Sequence, residues 1–266
     1  MVSVGLCILS WRGAATLKPS LESYAQAGLL DEFSETQLFL PDPDKAVLDV
    51  AKKYDIAPRT QAENLGIREN MAAAAAAMTS EYILMLENDC PIIEPIEEVR
   101  RQVKKSLELL RRDDVIMSRL RSIRSPGQAF SGLSKYRRLQ DHYLKARVIK
   151  NLRPNKFRRL SGYALYDGPH PDKKHPEYFQ NVGDGFYLID ALVMPWTNQS
   201  ILLKREFFLN EIIPLARSVN TKRHANKLPN LEIELNKTSK WRRSGWKIAC
   251  GPGLFTHERI GDRGYE

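Results

Sequence analysis

The 266-residue chain is short of cysteine, of long apolar runs and of glycine-rich loops. Its three cysteines, Cys7, Cys90 and Cys250, form no C-x-x-C pair. That count excludes a disulfide framework and a cysteine-based zinc site, fits a reducing compartment, and leaves all three as small buried hydrophobes. No apolar stretch approaches the roughly 20 residues a membrane-spanning helix needs. The opening Met1-Val-Ser-Val-Gly-Leu-Cys-Ile-Leu-Ser10 lacks the basic lead of a signal peptide. It reads as a first strand, and a cytoplasmic location is expected. Internal repeats, a clean interdomain linker, and any zinc, RRM or helix-turn-helix signature are missing as well. What remains, 42% hydrophobic and 27% charged residues, is a globular composition able to bury one sizeable core.

The net charge of +9 is concentrated. Arg100 to Arg159 holds nineteen Lys/Arg against Glu108, Asp113, Asp114 and Asp141, a local balance of +15 that leaves the rest net acidic at −6. A basic region of that density implies a polyanionic neighbour: an anionic membrane surface, a phosphorylated acceptor or nucleic acid. Nucleic acid is the weakest of the three, because no recognition signature accompanies the charge. Over Glu94 to Arg112 the charges read as the solvated face of an amphipathic helix, with Ile96, Val99, Val103, Leu107 and Leu110 on the other face. In Lys135 to Arg159, Tyr136, Tyr143 and Phe157 interleave with the bases. Tyr136-Arg-Arg138, Lys145-Ala-Arg147 and Lys156-Phe-Arg-Arg159 mix charge with amphipathic anchors as an interfacial segment does.

Periodicity predicts a strand over residues 2–10 and a helix over Leu17 to Leu30 capped by Thr16. A second strand, Gln37 to Leu40, closes at Pro41-Asp-Pro-Asp44, and a short helix covers Ala46 to Tyr54. Asn64-Leu-Gly-Ile-Arg-Glu-Asn70 is a polar turn feeding Met71 and six alanines, a helix slim enough to press closely on a sheet. This β-α-β-α-β order describes a doubly wound nucleotide-binding half. Further on, Val115 to Met117, Phe186 to Met194 and Ser200 to Leu203 have strand character. Phe207 to Val219 and Leu231 to Trp241 read as helices. Trp246 to Ala249 reads as a strand, and Gly251-Pro-Gly253 as a tight turn into Leu254-Phe-Thr-His257. From Arg119 to about Pro176 the chain is basic and broken by turn residues.

The strand Tyr82-Ile-Leu-Met-Leu86 has no polar break, so it is covered on both faces and belongs to a mostly parallel sheet. It delivers Glu87-Asn88-Asp89 to the carboxyl edge, where open α/β folds place ligands. Two carboxylates flanking one residue suit Mg²⁺ or Mn²⁺ on a diphosphate. The structural alternative is a strand-end turn, since Asn-Asp before Cys-Pro is ordinary turn chemistry.

Together, the first strand, the Asn64-x-Gly-x-Arg-x-Asn70 turn with its alanine helix, Glu87-Asn-Asp89, and the closing segment resemble the GT-A glycosyltransferases of the family 2 type. That closing segment runs from Asn230-Leu-Glu-Ile-Glu-Leu-Asn236 through Arg242-Arg-Ser-Gly-Trp-Lys-Ile248 to Gly253-Leu-Phe-Thr-His257. The resemblance covers both ends of the chain and not the basic middle. It implies one α/β catalytic domain, with a nucleotide-sugar half over 1–118 and an acceptor half over 119–266 carrying a basic insertion at about 119–180. It further implies a nucleotide-diphosphate sugar donor, UDP-linked by preference, a glycan or lipid-linked acceptor, and a Mn²⁺ or Mg²⁺ cofactor. The family's Asp-x-Asp is Glu87-Asn88-Asp89 here. Asp89 is then the main metal ligand, with Glu87 and His257 beside it, although a lone histidine more often has a structural role. Ser10, Trp11, Asp42, Arg68, Glu87, Asn88 and Asp89 face the nucleotide. Asp42 takes the position that accepts from uracil, and Arg68 the one that meets base or phosphates. An inverting transferase needs a carboxylate to take the acceptor hydroxyl's proton. The family places that base at the opening of an acidic helix, which gives Glu232, with Glu234 second and Asp184 in Gly183-Asp-Gly185 as a rival. A sugar-nucleotide nucleotidyltransferase would need a glycine-rich basic loop after Ser10, and none is there.

Overall fold

A computed structural model describes residues 2–128, 131–219 and 228–259. The chain alternates β1 (Val4–Leu9), α1 (Ala14–Ala27), β2 (Glu35–Pro41), α2 (Lys45–Lys53), β3 (Arg59–Gln61), α3 (Ile67–Ala76) and β4 (Tyr82–Glu87). Then come α4 (Ile96–Leu110), β5 (Val115–Arg121), α5 (Ser131–Gln140), α6 (Tyr143–Leu152), α7 (Pro154–Ser161) and α8 (Pro171–Lys174). The remainder holds β6 (Phe179–Asn181), β7 (Tyr187–Asp190), β8 (Ile201–Lys204) and α9 (Arg205–Phe207), which passes through a π-helical turn into α10 (Ile213–Arg217). α11 (Leu231–Lys237), α12 (Ser239–Arg242) and β9 (Lys247–Phe255) follow.

The nine strands form one sheet in the order β3-β2-β1-β4-β8-β5-β9-β7-β6. β3, β2, β1 and β4 are mutually parallel, and β5 pairs in parallel with β9. β8 runs antiparallel between β4 and β5. Two antiparallel steps restore the direction, so β1, β2, β4, β5 and β9 all end at the same edge, and β8 starts there. Period-two alternation sorts the side chains onto two core layers. Cys7, Leu9, Ile83 and Met85 join α3, α10 and α11 on one face, while Leu6, Ile8, Leu84 and Leu86 meet α1 and α4 on the other. Burial on both faces accounts for the unbroken apolar run of β4. On α3, Ala72, Ala74 and Ala75 are buried against the sheet, as their small side chains allow.

Several boundaries differ from expectation. α1 starts at Ala14 after Gly13. Thr16 lies inside it and donates to Gly13 O at 3.0 Å, so it is no N-cap. The basic stretch, broken by turn residues in the sequence, holds four helices, α5 to α8, with Tyr136, Leu139 and Phe157 buried. Leu231 to Trp241 is split at Thr238, which caps α12 by accepting from Lys240 N at 3.1 Å. Gly251-Pro-Gly253 is no turn: β9 runs through it with a register shift against β5. At Gly253, φ is +90° and a Cβ would lie 2.3 Å from Arg121 O, so the bulge there requires glycine.

Candidate active site

The carboxyl edge gathers the ends of β1, β2, β4, β5 and β9 with the start of β8. Asp89, just past β4, places Oδ2 2.9 Å from His257 Nε2, two residues past β9. His257 is 1% exposed. Its main chain is clasped to the loop after β5, because Gln128 N donates to His257 O at 3.0 Å. Gly127 permits this approach: its φ is +74° and a Cβ would sit 2.1 Å from His257 O. The imidazole meets Gln128 O through Nδ1 at 3.3 Å and Gln199 Nε2 through its own Nε2 at 2.9 Å. Arg121 orients that amide, donating from Nη1 to Gln199 Oε1 at 2.7 Å.

Nε2 has one lone pair or one proton to share between Gln199 Nε2 and Asp89 Oδ2, each 2.9 Å away, and the tautomer decides which of the two it serves. The Asp89 carboxylate suits Mn²⁺ or Mg²⁺, and the imidazole beside it is placed to be a second ligand. Among the described residues no third His, Cys, Asp or Glu closes on this pair. Glu87, expected as a further ligand, stands back from it. By strand alternation Glu87 continues the face of Ile83 and Met85, towards Glu232. Burial first, then the charges of Asp89 and Glu232, push the Glu87 carboxyl well above the usual carboxylate range.

Glu232 opens α11, whose N-cap Asn230 accepts from Ile233 N at 2.9 Å. A carboxylate in the first turn of a helix is favoured by the backbone dipoles. One Glu232 oxygen accepts from Asn198 N at 3.0 Å. The loop that supplies this N–H is locked to α11: Trp196 N donates to Asn236 Oδ1 at 2.7 Å, and Asn236 Nδ2 donates back to Trp196 O at 3.0 Å. Trp196 itself stacks on Phe208 at 6.0 Å and meets Trp241 edge-on at 5.7 Å. Between this loop, β5 and α7 lies a cavity of about 300 Å³, with Glu232 and His257 in its wall beside Arg119, Arg121, Tyr166 and Arg259.

The remaining predicted residues are placed less uniformly. Ser10 is buried at the end of β1, with an Oγ that has no hydrogen-bond partner. Trp11 follows, with the Arg12 guanidinium 5.9 Å from its ring centre. Asp42, at φ +46°, is ion-paired with Arg12 at 2.7 Å, so it stands at the same edge with a partner in place. Asn88 is buried and turned away from the edge, donating to Gly13 O at 3.2 Å and Thr16 Oγ1 at 2.5 Å. Its side chain pins the start of α1. Arg68 is held by Glu69 at 2.7 Å and by the buried Glu234 at 2.8 Å. That ion pair commits Glu234 and leaves Glu232 as the carboxylate of α11 in the cavity wall. Asp184 does not join the cluster. It is exposed in the β6–β7 turn at φ +55° and pairs with Lys105 at 3.4 Å.

Sequence reasoning missed Arg119, Arg121 and Gln199. The available signal was Ser118-Arg-Leu-Arg121, whose i, i+2 spacing puts both guanidiniums on one strand face. Treating the strand as finished at Met117 hid it.

No protein-family model matches the sequence, and no curated protein does either. Solved structures do match. One described only as a mycobacterial protein superposes with a TM-score of 0.53 at 14% identity, over 98% of this chain and 69% of that one. The glucosyl-3-phosphoglycerate synthase of Mycobacterium tuberculosis, bound to Mn²⁺, UDP and glucosyl-3-phosphoglycerate, gives 0.50 at 11% identity over 97% and 73%. The same synthase with Mn²⁺, UDP-glucose and phosphoglyceric acid gives 0.50 at 12% over 98% and 73%. With a doubly wound half that runs into a mixed sheet and an acidic strand end at its carboxyl edge, this chain has the GT-A fold.

Proposed function

We propose that this protein is a glycosyltransferase that moves a sugar from a nucleotide-diphosphate sugar, UDP-linked by preference, to an acceptor hydroxyl. The observation that carries the reading is the 2.9 Å contact between Asp89 Oδ2 and His257 Nε2 past the end of β4, with Glu232 nearby in the cavity wall. Asp89 and His257 would hold the divalent ion, which when bound neutralises charge developing on the leaving diphosphate. The solved M. tuberculosis synthase complexes contain Mn²⁺ with UDP or UDP-glucose, which supports this choice of donor and metal.

The chain's own groups divide the remaining work. Asn198 N–H holds one oxygen of Glu232 and leaves the other to accept the proton of the acceptor hydroxyl, as an inverting displacement requires. The paired hydrogen bonds between Trp196 and Asn236 keep that oxygen from drifting. Gln199, steered by Arg121, and the carbonyl of Gln128 hold the imidazole of His257 against Asp89. Ser10 and Asp42 stand where the nucleoside would lie.

The acceptor is a glycan or lipid-linked hydroxyl, and the basic helices support a peripheral position at an anionic membrane. On α6, Leu144, Val148 and Leu152 recur every four residues and are 75%, 55% and 78% exposed, with exposed Arg147, Lys150 and Arg153 around them. An apolar stripe bordered by bases is the pattern of an interfacial helix. The function is tested by thermal shift with UDP-, GDP- and CMP-sugars with and without Mn²⁺, since a ligand that binds the native state stabilises it. A rise with UDP-sugars that depends on Mn²⁺ is expected; no response to any nucleotide sugar would refute the reading.

A further inference from the structure

The cavity beside Glu232 is charged in a way that donor binding and proton transfer leave unexplained. Four arginines line it, Arg119, Arg121, Arg159 and Arg259, against the single carboxylate of Glu232. Three are spoken for or peripheral in different senses. Arg121 gives its donors to Pro126 O at 2.6 Å, Gln128 O at 3.0 Å and Gln199 Oε1 at 2.7 Å, so it shapes the wall. Arg159 and Arg259 are exposed at the mouth.

Arg119 is different. It is 8% exposed, yet its Nε has no hydrogen-bond partner and its Nη1 meets only the thioether of Met194 at 2.6 Å. No carboxylate among the described residues makes an ion pair with it. Burying a guanidinium with no carboxylate in contact is costly, and sulfur is a weak acceptor that repays little of that cost. A buried arginine with an idle edge beside a cavity is therefore a receptor for an anion that arrives from outside. Its planar fork matches two oxygens of a phosphate or carboxylate, and the low local dielectric strengthens the contact. Tyr163 and Tyr166 add hydroxyl-bearing rings to the same wall. At about 300 Å³ the space lies at the small end of small-molecule sites.

We propose that this cavity binds the acceptor through an anionic group, a phosphate or a carboxylate, held on Arg119 so that the acceptor's hydroxyl meets Glu232. The inference rests on the glycosyl-transfer reading for the word acceptor, while the anion site itself does not. Calorimetric titration of the whole protein with glycerol 3-phosphate, glycerate and neutral glycerol separates the sources. Binding of glycerol 3-phosphate over the other two identifies a phosphate site, and binding of glycerate alone identifies a carboxylate site. In either case Arg119→Gln should weaken the anion at least about tenfold, the scale of one charge-assisted hydrogen bond. UDP with Mn²⁺ should still stabilise the variant as it does the wild type. Arg119→Lys, which keeps the buried charge and loses the fork, should also bind more weakly, and it serves if the glutamine variant does not fold. Wild-type protein that binds neither anion, or anion affinity unchanged in the lysine variant, overturns the proposal. Failure of UDP with Mn²⁺ to stabilise wild type, read in a separate titration, counts against the transferase reading.

Discussion

Arg68→Met offers a quantitative check, because the sequence resemblance and the structure give Arg68 different duties. Arg68 Nη1 lies 2.8 Å from Glu234 Oε1, with the Arg68 side chain 15% exposed and that of Glu234 at 2%. Breaking a buried pair by removing one partner costs about 3–5 kcal/mol. In a chain of this size each kcal/mol moves Tm by roughly 2 °C, so Tm should fall by about 6–10 °C. Pairing the change with Glu234→Leu removes the buried carboxylate as well and should recover most of the loss, because an apolar pair of similar volume is nearly neutral at such sites. Differential scanning calorimetry of wild type, the single variant and the double variant reads all three values. A single variant within about 1 kcal/mol of wild type, or one that loses donor affinity at unchanged Tm, would show that Arg68 serves the nucleotide rather than the core.

Asp89→Ala should keep the fold, since the residue lies past the strand end, and should abolish both turnover and the Mn²⁺-dependent part of UDP stabilisation; Mn²⁺-stimulated turnover in that variant would exclude the metal assignment. Glu232→Gln should lower kcat by ~10²–10⁴-fold with donor affinity unchanged, as expected when a general base is lost. Asp184→Asn should be close to wild type, and the opposite ranking would move the base to the β6–β7 turn. Hydrogen bonds from Arg217 first, and then from Arg68, hold the Glu69 carboxyl below its usual range. Its folded pKa is thus below the unfolded value of about 4.3, so its contribution is complete above that pH and is lost as pH falls through the folded pKa. Melting curves of wild type and Glu69→Gln should converge on acidification from pH 6 to 3; parallel curves would contradict the shift. Co-sedimentation with anionic vesicles at low salt should exceed that with neutral ones, and Leu144→Asp with Leu152→Asp should abolish the difference. Equal, negligible binding to both would leave the stripe without a membrane role.

Reading the sequence located the parts of the fold whose signals are local and repeated. The unbroken Tyr82–Leu86 run announced a strand covered on both faces, and the alanines after Asn70 announced a helix lying close to it. Glu87, Asp89, Glu232 and His257 each carry a local sequence signal, a strand end, a helix start or a segment after a glycine pair. Their pairing carries none, because a contact across 168 residues, as between Asp89 and His257, leaves no local mark. The same limit applies to Arg68 and Glu234. A motif identifies Arg68 as basic and near the donor, while a partner far along the chain decides where its guanidinium goes. Asn88 failed for a related reason: it lies between two acidic residues, but alternation turned it into α1. The basic middle resisted reading because α5, α6 and α7 carry exposed bases and little apolar periodicity, and β5 was cut short at the first arginine.

The position of β9 in the sheet has a consequence for how the sheet is completed during synthesis. β9 is threaded between β5 and β7, and the histidine that meets Asp89 follows it by two residues. Strands β1 to β4 emerge from the ribosome more than 150 residues earlier, at some 5–20 residues per second. For those seconds the nascent chain holds the parallel half of its sheet, while β5 has an open flank and Asp89 has no imidazole opposite it. The contact between Asp89 and His257 can therefore form only after β9 has been made and threaded into place.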